Sequence, residues 1–90
     1  MMYPFMTLED ETEVVHSDIL DKKDKVKVYF ERPVESGFYS AECYLPAYEW
    51  KNIKGFKRSE IRAYQKLIES VAHIIIQLAR EGGLEDAAGF

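Results

Sequence analysis

Lys66, Glu69, His73 and Gln77 recur at intervals of three and four residues. On a helix that spacing places them on one face. The chemistry it could support is general-base catalysis, with the carboxylate orienting an imidazole. The same spacing describes a solvated helix face laced by i, i+4 pairs, each worth about 0.2–0.5 kcal/mol. A convex face offers no concave site, so the solvated face is the reading adopted. Cys43 is the sole cysteine, and it would act as a nucleophile only with a base beside it. The one histidine in a strand-like run is His16. In a simple meander it lies two strands from Cys43, and alternation places it on the opposite face. Cys43 therefore reads as a small buried hydrophobe. His16, Cys43 and His73 share no short metal-ligand spacing, so neither a metal nor a cofactor is expected.

The elements that must position these residues begin with the longest regular stretch, 57–81, read as one amphipathic helix. Three strand-like runs precede it, at 12–20, 25–32 and 38–45. The cleanest is 25–32, where Val26, Val28 and Phe30 alternate with Lys25, Lys27, Tyr29 and Glu31. In 38–45, Tyr39, Ala41, Cys43 and Leu45 are expected to face the helix. Short turns between the runs predict an antiparallel meander. The arm Tyr3–Leu8 would add a fourth strand, with Pro4 suited to an edge. The fold class predicted is thus α+β: a three- to four-stranded antiparallel meander packed by one long C-terminal helix, in a single domain spanning 1–90. Ala47–Phe56 is read as a crossover lying over one end of the core. With Lys57 as N-cap, Phe56 and Ile61 would form a hydrophobic staple, and Glu60 would reach back to a backbone amide; Ser59 is the alternative cap. Gly82-Gly83 stops the helix, and 82–90 is an acidic tail anchored by Leu84 and Phe90.

Composition narrows the function classes. A chain of 90 residues buries only about 60–65% of the surface its unfolded form exposes, so a partner subunit would help it. The net charge of −4 argues against nonspecific nucleic-acid binding. A single cysteine fits a reducing cytosol. No signal peptide is expected from the first residues, and Gln77 and Arg80 interrupt the most apolar stretch, so no membrane span is expected. Tyr29, Phe38 and Tyr44 would decorate the open sheet face. Glu31 and Glu42 share that face, which favours a covering layer or a protein partner over stacked bases.

The helix carries more apolar arc than a covering helix needs, roughly 200° against about 100–140°. The excess lies at Ile74 and Ile76, on opposite edges. Ile61, Tyr64, Ile68, Val71, Ile75 and Leu78 follow a 3-4-3-4-3 spacing resembling a coiled-coil seam. These eight residues are the expected interface, most simply of a homodimer; the alternative is that the whole arc is monomer core, its flanks covered by the N-terminal arm and the crossover.

Three segments carry a resemblance: Tyr3–Ser17 (YPFMTLEDETEVVHS), Cys43–Trp50 (CYLPAYEW) and Ser70–Phe90 (SVAHIIIQLAREGGLEDAAGF). Together they resemble a family of short bacterial proteins of unknown function, and this implies no activity. The layout of meander then helix is similar to HicB-type antitoxins and to double-stranded-RNA-binding domains. Against the second stand the net acidity and a helix start with no basic cluster beyond Lys54, Lys57 and Arg58. The expected function is a small non-catalytic cytoplasmic interaction module, homodimeric or bound to a partner protein, with an antitoxin-like or regulatory role as one version. It would work by burying the late helix face and by strand addition at a sheet edge. The rival is a small ligand-binding protein or enzyme with a pocket near Tyr48 and Trp50.

Overall fold

The computed structural model describes residues 1–82; the expected tail anchors Leu84 and Phe90 lie outside them. Five strands run β1 (Met2–Thr7), β2 (Glu13–Ser17), β3 (Val26–Val34), β4 (Gly37–Leu45) and β5 (Glu49–Lys54), followed by the helix α1 (Arg58–Glu81). The strands form one antiparallel sheet in sequence order, so each pairs with its chain neighbour. The predicted α+β meander packed by a long helix is what the chain adopts. The arm expected as a fourth strand is β1, and a fifth, β5, occupies the segment read as a crossover.

Alternation sets the two faces of the sheet. Val26, Val28 and Phe30 on β3 and Ala41, Cys43 and Leu45 on β4 are buried under the helix, as their period-two spacing predicts. Phe30 stacks on Tyr64 of the helix, with ring centroids 4.9 Å apart. Trp50 of β5 completes the layer, its ring 5.4 Å from that of Phe30. Residues of the other parity, including Lys27, Tyr29, Glu42 and Tyr44, point away from the helix.

Register corrects one expectation. His16 pairs with Val28, and Val28 pairs with Cys43. Directly opposed residues in antiparallel strands project to the same side. His16 and Cys43 therefore share the core face, both fully buried, with Val28 between them. They are two strands apart as predicted, but not on opposite faces. Alternation fixes faces within a strand; loop lengths fix them between strands, and the 18–25 loop defeats counting.

Both sheet edges are interrupted. The register of β1 on β2 shifts between Pro4 and Met6, and Pro4 has no N–H to offer a new strand. The register of β4 on β5 shifts between Ser40 and Glu42. Asn52 there takes a left-handed φ of 53°. Bulges and prolines of this kind discourage strand addition, so the edges do not favour the strand-addition route expected above.

Lys57 is the N-cap of α1. Glu60 accepts a hydrogen bond from the Lys57 backbone N–H at 2.9 Å, so the carboxylate at N3 does the work that a lysine side chain cannot. Gly82 ends the helix with φ 85°, the left-handed C-cap that glycine adopts without strain.

Candidate functional site

The densest polar cluster sits where the β1–β2 turn, the end of β3 and the first turns of α1 meet. Arg32 is its hub. Its Nη2 lies 2.6 Å from Asp10 Oδ2, 2.6 Å from Glu60 Oε2 and 2.7 Å from the Tyr64 hydroxyl, and its Nε donates to Thr12 Oγ1 at 3.0 Å. Tyr64 in turn donates to Asp10 Oδ2 at 3.0 Å. The Arg32 guanidinium also lies over the Phe56 ring, 5.1 Å from its centroid. Only 17% of the Arg32 side chain is exposed, a burial that one cation tolerates because two carboxylates and two hydroxyls surround it.

Electrostatics follow the geometry. Burial alone would raise the Asp10 carboxyl, but hydrogen bonds from Thr12 and Tyr64 and the charge of Arg32 outweigh it and hold it below its ordinary value. Glu60 is lowered first by the Lys57 backbone hydrogen bond and then by Arg32. Tyr64 is raised, chiefly by burial and by its bond to Asp10. All these groups satisfy one another, so the cluster is a clamp between sheet and helix rather than a reactive centre.

The candidate catalytic groups do not converge. His73 is exposed, and Glu69 accepts from Gln65 Nε2 at 3.3 Å. Burial pushes the Cys43 thiol up to about 12, which suits a core side chain and not a nucleophile. His16 Nδ1 donates to the Ser17 carbonyl at 2.9 Å, leaving Nε2 buried without a hydrogen-bond partner. The rings nearest it are Tyr3 at 5.5 Å and Phe5 at 6.5 Å. Among the described residues no three of His, Cys, Asp and Glu are grouped to hold a metal. At the expected pocket, Trp50 is partly buried against the core, its Nε1 donating to Gln65 Oε1 at 2.9 Å. Ala47 and Glu49, which flank Tyr48, line an open depression of about 370 Å³ with Tyr44, Leu45 and Pro46.

The outer sheet face is charge-compensated. Lys27 pairs with Glu42 at 3.1 Å, and Asn52 donates to the same carboxylate at 3.0 Å. Lys25 and Lys51 stand over Tyr44, 5.2 and 5.3 Å from the ring centroid. Phe38, at the β3–β4 turn, is 61% exposed.

The eight helix residues divide. Tyr64, Ile68, Ile75 and Leu78 are buried in the chain's own core. Ile61, Val71 and Ile76 are partly buried and pack against it. Ile74 stands out at 42% exposed. On a helix Ile74 and Ile76 are about 200° apart, so they mark opposite margins. Ile61 belongs with Ile76 on the β5 side, where it lines a depression with Ile53.

One charged feature was missed in the sequence. The basic run at the helix start continues past Arg58 to Arg62 and Lys66. Neither Arg58 nor Arg62 has an ion pair among the described residues, whereas Arg32 and Arg80 are both paired. A count of net charge conceals this, because acidic residues elsewhere cancel it.

The fold being a sheet with one covering helix, no described helix is long and apolar enough to cross a membrane. Comparison with protein-family models, curated proteins and solved structures gave no match.

Proposed function

We propose that the protein is a small non-catalytic interaction module that self-associates through the margin of its long helix. The observation that supports this most directly is Ile74, an aliphatic side chain 42% exposed on a helix whose neighbouring apolar residues are packed. Burying it in a partner would remove apolar surface from water at about 25 cal/mol per Å². A chain of this size gains disproportionately from such burial. The isologous homodimer is the simplest arrangement, since one patch then serves both subunits. An antitoxin-like or regulatory role in the cytoplasm is the concrete version we attach to it, in keeping with the resemblance to HicB-type antitoxins. Sedimentation of the protein against its Ile74→Glu variant tests the reading: the substitution lowers the assembled mass while circular dichroism stays native.

A further inference from the structure

The corner between β5 and the start of α1 has three properties together. Its floor is apolar: Ile53, Phe56 and Ile61 line an open depression of about 240 Å³. Ile53 is 44% exposed there. Its rim is cationic, with Arg58 and Arg62 completing the lining, one helical turn apart and so side by side. Its surroundings are basic as well. Residues 51–66 hold six of the chain's twelve lysines and arginines and one carboxylate, Glu60. That carboxylate is already engaged by Arg32 and the Lys57 amide. The first turn of the helix adds the positive end of its dipole.

We infer that this corner docks an acidic segment of a partner protein, an aliphatic side chain seated on Ile53, Phe56 and Ile61 and flanking carboxylates on Arg58 and Arg62. The guanidinium forks match carboxylate geometry, and both are free of internal partners among the described residues. The apolar floor selects a peptide over a nucleic acid. Phe56 is 7% exposed and held edge-on between Tyr39 and Tyr64, so it presents no open ring for a base to stack on. This surface lies on the β5 margin, across the helix from Ile74, so it stands or falls independently of self-association.

The test is a titration of ¹⁵N-labelled protein with short synthetic peptides, followed by amide shifts. One peptide has Asp and Glu around a central Leu, a second has Ser in place of the Leu, and a third has Lys in place of the acids. A single-stranded oligothymidylate is the nucleic-acid arm. The expected result is saturable shifts at Ile53, Gly55, Phe56, Ile61 and Arg62 with the first peptide. Binding should weaken roughly tenfold with the Ser peptide, the size of one lost anchor, and by about tenfold or more with the Arg58→Gln/Arg62→Gln variant, which removes two charged contacts. The variant's amide spectrum away from the corner should be unchanged. Equal binding of the Leu and Ser peptides, stronger binding of the oligonucleotide, or no shift at this corner with millimolar peptide would each overturn the proposal.

Discussion

Arg32 Nη2 lies 2.6 Å from Glu60 Oε2, joining residues 28 positions apart in the chain. Glu60 is also the residue that caps α1 through the Lys57 amide. One carboxylate thus starts the helix and fastens it to β3. Arg32→Met should cost about 2–3 kcal/mol, because it leaves Asp10 and Glu60 facing each other without a cation. Urea unfolding followed by Trp50 fluorescence measures this. A variant as stable as the parent would show that the cluster contributes no net stability.

Acid should act through the same cluster. Asp10 and Glu60 both hold their protons less tightly folded than at their ordinary values of 3.8 and 4.5. Their stabilisation is therefore complete above about pH 4.5 and is lost as pH falls through the lower folded values. The parent should lose more stability on acidification than Arg32→Met does. Denaturation curves for both proteins at neutral and acidic pH supply the comparison; parallel losses would remove Arg32 from the account.

Gly55 has φ 85°, and a Cβ there would sit 2.1 Å from Tyr39 Cδ1. Either fact alone disfavours a side chain. Gly55→Ala should destabilise by roughly 2 kcal/mol or more, read as a lowered thermal midpoint. An unchanged midpoint would mean that the Tyr39 ring moves aside without cost.

Cys43 is fully buried and its thiol is pushed up to about 12. Very little thiolate exists at neutral pH. A chromogenic disulfide reagent should therefore label the native protein only as fast as it unfolds, with the rate rising steeply in urea. Prompt labelling in buffer would place the thiol at the surface.

Much of this architecture was legible in the residues. The helix, the parity of β3 and β4 and the Glu60 reach-back followed from local spacing, which needs no knowledge of distant partners. β5 was hidden because Asn52 shifts the phase of Glu49–Lys54, so the run shows no clean alternation. A crossover lying over one end of the core, with or without a turn of helix, explained its aromatics equally well. The Arg32 cluster was invisible for another reason. Its members are contributed by Asp10, Thr12, Arg32, Glu60 and Tyr64, and no local pattern marks residues that meet only after the sheet has formed. The basic corner was passed over because the net charge of the chain hides it, and its pairing state is set only by folding, which leaves Arg32 engaged and Arg58 and Arg62 without an ion pair among the described residues.

Self-association would rest on the helix margin at Ile74, and sedimentation velocity over a range of concentrations up to high micromolar tests it most directly. The prediction is a reversible shift of the parent protein toward twice the monomer mass as concentration rises. Ile74→Glu should remain monomeric over the same range with native circular dichroism. A parent protein that stays strictly monomeric at the highest concentration, or an Ile74→Glu variant that assembles like the parent, would contradict it.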